Sequence, residues 1–289
     1  MTEPKTYTVD APGAVITYDV RPPETASGDQ TPLLLVGSPM AAAGFVSLAE
    51  RFPDRTVVTY DPRGTERSPK SDPSTESTPD QHADDIHRII DDLGGGPVDL
   101  FGSSGGAVNS LALAAKHPEQ VRTLVAHEPP AGQVLPDREQ VLAAAQGIRK
   151  TYQESGFGPA MAKFIALVTI KGEVPADFAD QPADPAMFGL PTEDDGSRED
   201  PLVGQNIISC THYNHDFDAL RAADTLVVVA VGIESEGELA YRGGLGVAER
   251  LGVEPVVFPS NHGGFLGGEY GQTGDPDGFA AALRQALSE

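Results

Sequence analysis

Six short apolar runs limit what this chain can become. They read "PLLLVG" (32–37), "RTVVTYD" (55–61), "PVDLFG" (97–102), "VRTLVAHEPP" (121–130), "TLVVVAVG" (225–232) and "EPVVF" (254–258). A run that is apolar at nearly every position suits a strand buried on both faces. Helix-compatible stretches separate several of them: "AAAGFVSLAERF" (41–52), "TPDQHADDIHRIIDDLGGG" (78–96) and "GGAVNSLALAAKHP" (105–118). In the second, Ile86, Ile89, Ile90 and Leu93 recur at helical spacing opposite an acidic face. Strands alternating with helices predict an α/β fold, with a mainly parallel central sheet and helices on both faces. Before them, "KTYTVD" (5–10) and "AVITYDV" (14–20) predict an antiparallel strand pair turning near Gly13.

The alternation lapses over 131–220. Here "DREQVLAAAQGIRKTYQESG" (137–156) and "GPAMAKFIALVTI" (158–170) predict helices, and "EDDGSRED" (193–200) reads as a solvated acidic loop. The expected organisation is a core domain of 1–130 and 221–289 with a helical cap, or lid, inserted at 131–220. The insertion would lie over the C-terminal edge of the sheet, where open parallel sheets bind their ligands. The alternation returns with "TLVVVAVG" (225–232), a helix near 237–251, the strand "EPVVF" (254–258) and a final helix "DPDGFAAALRQALSE" (275–289).

Charge and cysteine content narrow the function classes. The net charge of −23 disfavours nucleic acid and anionic membrane surfaces as partners. Cys210 is the single cysteine, so no intramolecular disulfide is expected, which fits a reducing cytoplasm. The N-terminal stretch lacks the basic start and apolar core of a signal peptide, and no apolar run is long enough to span a bilayer. A cytoplasmic location is expected.

The chemistry-bearing stretch is "DLFGSSGGAVNS" (99–110). Gly102, Ser104 and Gly106 fit G-x-S-x-G, in which a serine occupies a strained strand-to-helix turn. The neighbouring turns approach closely, so small residues are needed two positions before and after. Centring the motif on Ser103 would put Phe101 at such a position. The helix that follows would aim its N-terminal N–H groups at Ser104, and the Gly105 N–H could then donate to an oxyanion. A phosphate-binding loop fits less well, since no G-K-[S/T] follows. A general base should come late in the chain. His262, in "FPSNHGGF", follows the strand "PVVF", and Gly263 and Gly264 permit a tight turn around it.

With these residues in place the chain resembles the α/β-hydrolase family over nearly its whole length. The elbow, the "LLLVG" strand and its loop, the "YDPRG" turn, the inserted cap and the terminal "NHGGF" fall in the family's order. The resemblance implies an α/β-hydrolase fold and a triad whose third member is an acid. The commonest position, three residues after the glycine of "VGIESEGE", is Ser235, flanked by Glu234 and Glu236. The family's other position, at the end of the strand after the nucleophile helix, falls on Glu128. Glu128 is preferred, with Glu234 as the alternative. The loop after the first buried strand usually supplies the second oxyanion donor. Here it reads "VGSPMAAAG", which puts Pro39, with no N–H, at the donor position, so Met40 is expected to donate and Ser38 to contribute a hydroxyl.

The expected activity is that of a cofactor-independent serine hydrolase, or serine esterase, acting on a carboxylic ester or similar small acyl substrate. Ser104, His262 and Glu128 form the triad, and Gly105 and Met40 form the oxyanion hole. Epoxide hydrolase and dehalogenase chemistry would need an aspartate nucleophile. The alternatives are non-hydrolytic use of the triad (perhydrolysis, haloperoxidase-like chemistry, acyl transfer or lyase chemistry) and a low-turnover binding protein on the same fold. Ser38, Ser103, Met161, Phe164, His212 and Phe265 are candidate substrate contacts. Ser103 alternatively faces the packing beneath the elbow. Met161, Phe164 and Ile165 are expected to form the apolar face of the cap, which borders the pocket, and His212 alternatively packs cap to core. Asp61 and Arg63 are expected to pin a loop, and His82 and His87 to lie on the surface of an amphipathic helix. His212, His215, Asp216 and Asp218 place no convincing third metal ligand, so no metal site and no cofactor are expected. The partner is a small acyl molecule, and the chain is expected to be a monomer or homodimer.

Overall fold

The computed structural model describes residues 3–25 and 31–288. Among these residues, eight strands form one sheet in the order β1-β2-β4-β3-β5-β6-β7-β8. The strands are β1 (Lys5–Ala11), β2 (Ala14–Arg21), β3 (Leu33–Val36), β4 (Val57–Tyr60), β5 (Val98–Ser103), β6 (Val121–His127), β7 (Leu226–Gly232) and β8 (Val256–Phe258). The two N-terminal strands pair antiparallel, and β2 meets β4 antiparallel. Every pairing from β4 across to β8 is parallel.

Helices cover both faces. On one side, α2 (Pro79–Asp92), α3 (Gly105–Lys116) and α8 (Leu239–Leu251) bury Ile86, Ile89, Leu111 and Val247 against Leu34, Leu100 and Leu124 of the sheet. On the other, the single turn α1 (Val46–Ala49) and α9 (Pro276–Ala286) bury Leu48, Phe279 and Leu283 against Leu35, Phe101 and Val125. The start of α2 is set locally. The Thr78 side chain accepts the Gln81 N–H, the Gln81 side chain answers the Thr78 N–H, and Pro79 opens the helix. The helix read over 41–52 is shorter than expected: a 3-10 turn, Ala42–Phe45, leads into α1. At the start of that turn the Ala42 N–H donates to Asp61 Oδ1 at 3.1 Å.

Between β6 and β7 the chain forms α4 (Arg138–Ser155), α5 (Phe157–Val168), α6 (Ile207–Thr211) and α7 (Phe217–Ala222). The first three share an apolar cluster of their own, with Val141, Ile148, Leu167, Val203 and Ile207 buried. Leu239 at the head of α8 joins that cluster, whereas Phe217 and Leu220 of α7 pack into the core under the sheet. Packing therefore assigns the end of the 131–220 segment to the core. No helix among the described residues is long and apolar enough to cross a membrane.

Candidate active site

Ser104 stands between β5 and α3 with φ 56° and ψ −125°, a conformation rarely adopted by residues with a side chain. Its N–H donates to His127 O of the neighbouring strand at 3.0 Å. The glycines explain the tolerance of the turn. A Cβ on Gly106 would lie 2.1 Å from Val36 O, and one on Gly102 would lie 2.7 Å from Ser110 Oγ and 2.9 Å from Gly106 O. Only hydrogen fits at either place, so the spacing around Ser104 is a packing requirement. The N–H of Gly105, first residue of α3, lies at the positive end of that helix.

Glu128 follows β6 with φ 47° and is wholly buried. Its N–H donates to Ala230 O at 3.0 Å, and its Oε1 accepts the Gly232 N–H at 2.8 Å. The other oxygen, Oε2, lies 2.5 Å from His262 Nδ1. Burial opposes ionisation of Glu128. The hydrogen bond from His262, the nearby imidazoles and the Gly232 N–H outweigh it and hold the carboxyl down at about 2. His262 sits on the loop after β8 with its side chain 40% exposed. Gly264 lets this loop fold back, since a Cβ there would lie 2.9 Å from Phe279 and 3.0 Å from Pro259 O. No hydrogen bond joins Ser104 to His262 among the described residues. Glu234, the alternative acid, is exposed, and its N–H donates to Ser260 O of this loop at 3.0 Å.

A residue the sequence reading passed over, His127, lies beneath this pair. It is wholly buried among Phe101, Phe258, Phe265 and Phe279, with its ring 5.9 Å from that of His262. Burial pushes it down to about 4, so it is neutral near pH 7. Its Nδ1 is 3.1 Å from Ser103 Oγ, and its Nε2 has no partner among the described residues. His127, Glu128 and His262 each bring a potential ligand atom within 4.8 Å of the others. Two ligands of one tetrahedral zinc stand about 3.3 Å apart, given bonds of about 2.0–2.1 Å. The 2.5 Å Glu128–His262 contact is shorter than that, and is the geometry of a hydrogen-bonded pair. Glu238, half-buried where α8 begins, also faces the pair; burial and the Glu128 charge raise its carboxyl above the usual range.

The candidate substrate contacts have packing and hydrogen-bond partners of their own. Ser103 turns to His127 under the site, because successive side chains of a strand point to opposite faces. Phe265 is 3% exposed and packs in the aromatic core, 5.4 Å from Phe45 and 5.8 Å from Phe101 between ring centres. Met161 and Phe164 are partly buried against the insertion's own cluster. His212 meets Gln146 at 3.4 Å and Thr211 at 3.0 Å within the insertion. Ser38 is buried, with Oγ accepting from Asn206 Nδ2 at 2.8 Å, and the Ser38–Pro39 peptide is cis. The Met40 side chain packs onto Gly44 and the α1-side core.

The remaining charged candidates have structural surroundings. Asp61 accepts from Ala42 N and from Arg67 Nε at 2.6 Å, and Arg63 makes a two-point pair with Asp85 at 2.7 and 2.5 Å. His82, expected at the surface, is buried and pushed down to about 3 by burial and by Arg63 and Lys70. The loop between β4 and α2 covers that side of the helix, placing Arg63 and Lys70 close to it. His87 is partly exposed, stacks on His117 at 4.0 Å and meets Gln120 at 2.9 Å. His215 is half-buried, but both its ring nitrogens are buried and neither is bonded among the described residues, and burial pushes it down to about 4. Asp216 caps α7 through the Ala219 N–H at 2.9 Å, and Asp218 pairs with Arg221.

Comparison with known proteins places this geometry in context. A family model described as alpha/beta hydrolase fold matches residues 33–207. The uncharacterized hydrolase YraK of Bacillus subtilis (strain 168) is 30% identical over 266 residues, 89% of each chain. The 2-(acetamidomethylene)succinate hydrolase of Mesorhizobium japonicum is 41% identical over 114 residues, 38% of each chain. Among solved structures, a thermophilic esterase from Thermogutta terrifontis aligns with 99% of this chain and 98% of its own, at TM-score 0.67 and 18% identity.

Proposed function

This chain belongs to the alpha/beta hydrolase fold family and is a hydrolase of that family, and on that premise we propose that it is a serine hydrolase cleaving a carboxylic ester or similar small acyl substrate. The observation that carries the reading is the Glu128–His262 hydrogen bond of 2.5 Å, together with a strained serine on a strand-to-helix turn whose N–H donates to the carbonyl of His127, the residue before Glu128. Glu128 accepts from Nδ1 and so leaves Nε2 as the free base. Contacts between such a base and its serine are often long before substrate binds and tighten in the complex.

In the proposed reaction, Ser104 Oγ attacks the carbonyl carbon while His262 Nε2 takes its proton. The carbonyl π electrons move to oxygen, and the Gly105 N–H and a donor from the Ser38–Met40 loop, expected to be the Met40 N–H, hold the oxyanion. The intermediate collapses, the C–O bond to the alcohol breaks, and His262 returns the proton to the departing oxygen. Water, deprotonated by His262, then attacks the acyl carbon; the bond from that carbon to Ser104 Oγ breaks, His262 returns the proton to Oγ, and the acid is released. Glu128 stays ionised throughout and stabilises the imidazolium.

A fluorophosphonate probe and short p-nitrophenyl esters test this. The expected result is labelling and turnover that Ser104→Ala lowers about a thousandfold or more. Turnover that survives Ser104→Ala, or a folded protein that neither labels nor turns over, would overturn the proposal.

A further inference from the structure

A second polar cluster presses on the proposed oxyanion site from the helical insertion. The chain enters α6 through a π-helical turn, Leu202–Asn206, a geometry that is rare and recurs at functional sites. Two successive side chains of this turn reach loops of the core. Gln205 Oε1 accepts the Ser77 N–H at 3.1 Å and lies 3.4 Å from Lys70 Nζ. Asn206, 8% exposed, donates through Nδ2 to Ser38 Oγ at 2.8 Å and accepts the Cys210 thiol at 2.9 Å. Burial keeps that thiol protonated and able to donate, pushing it up to about 12.

The cluster lies against the elbow itself. A Cβ on Gly105 would stand 2.4 Å from Ser38 O, 2.8 Å from Asn206 Oδ1 and 3.1 Å from Cys210 Sγ. One carboxamide thus bears on both walls of the oxyanion site: Gly105 on the elbow and the loop beginning at Ser38. An apolar side chain would fill this space without the cost of dehydrating an amide. The amide adds direction, because its two ends require a donor on one side and an acceptor on the other.

We propose that Asn206 is a positioning residue: bridging Cys210 of the insertion and Ser38 of the core, it sets the spacing between the Ser38–Met40 loop and Gly105 that holds the oxyanion. The inference rests on the serine-hydrolase reading. Asn206 acts through Ser38 and touches no reacting atom. An oxyanion donor must lie about 2.7–3.1 Å from where the charge develops. A loop that drifts therefore weakens the transition state while leaving substrate binding largely alone.

The test compares Asn206→Leu, Ser38→Ala and the double variant on p-nitrophenyl butyrate. Inhibition by phenylboronic acid, which forms a tetrahedral adduct on the serine, is measured alongside. Each single variant is expected to lower kcat by about 10- to 100-fold with KM changed less than about threefold. Boronate inhibition should weaken by a similar factor, and the double variant should be no worse than the poorer single one, since both remove one contact. Unchanged kcat, a loss confined to KM, or losses that multiply would each overturn the proposal. If Asn206→Leu does not fold, Ser38→Ala removes the acceptor without touching the insertion, and unchanged kcat there is equally fatal. A wild-type protein without Ser104-dependent turnover overturns the serine-hydrolase reading, and this inference with it, before any variant is compared.

Discussion

Replacing Glu128 with Gln keeps the shape of the side chain and removes its charge. The carboxyl is held at about 2 against an ordinary value of 4.5. That gap corresponds to about 3 kcal/mol favouring the ionised folded form, at about 1.4 kcal/mol per tenfold. Because the folded value lies below the unfolded one, this stabilisation is complete above pH 4.5 and disappears as pH falls toward 2. Urea unfolding of wild type and Glu128→Gln across this range should therefore show a stability difference that is largest at neutral pH and shrinks in acid. Taking the difference removes the contributions of the other depressed carboxylates, such as Asp19 and Asp137. In the same variant, His262 loses the anion that orients it and balances its positive charge. The kcat for p-nitrophenyl esters should fall about 10³- to 10⁴-fold, with far less change in KM. A variant that keeps more than about a tenth of wild-type kcat would refute the reasoning; so would a stability difference that ignores pH. If Glu234→Gln abolished turnover and Glu128→Gln did not, the acid would be the exposed residue instead.

Two further perturbations separate neighbouring roles. Ser103→Ala should keep kcat within about threefold and cost about 1 kcal/mol in urea unfolding, the loss of one buried hydrogen bond to His127; loss of probe labelling would show that the two serines had been misassigned. Arg63→Met should cost about 3–5 kcal/mol, because it leaves Asp85 buried without its cation. The double replacement Arg63→Met with Asp85→Leu should recover most of that loss, and equal instability in both variants would show that the pair is not what holds this turn.

Much of the fold was legible because it depends on local features. Apolar runs and 3.6-residue spacing belong to neighbouring residues, so strands such as Leu33–Val36 and the helix Pro79–Asp92 can be read without knowing what they pack against. The elbow is local as well. Glycines two positions either side of Ser104 record contacts that admit no Cβ. Residues that adjoin functional ones are a different case. Ser103 and Phe265 each lie within three residues of a proposed catalytic group, yet strand alternation and a loop turn direct both into the core. His82 stands four residues before Ile86 on the apolar face of its helix, so its burial continues the helical stripe, and the loop that runs into the helix from β4 brings Arg63 and Lys70 close to it.

What the sequence determined by itself was a parallel sheet between helices, an insertion before the last strands, and a serine at a turn that only small neighbours permit. Each follows from residues close in the chain. Tertiary structure decided which carboxylate meets His262, because Glu128 and His262 are 134 residues apart and come together only where the ends of β6, β7 and β8 lie side by side. It also decided that Gly232 helps hold that carboxylate, that His127 fills the space beneath it, and that Asn206 of the insertion reaches Ser38. The physical reason is the same in each case: strand register and docking of the insertion are cooperative, long-range outcomes, and a short stretch of chain carries the preference for a strand or turn but not the identity of what will face it.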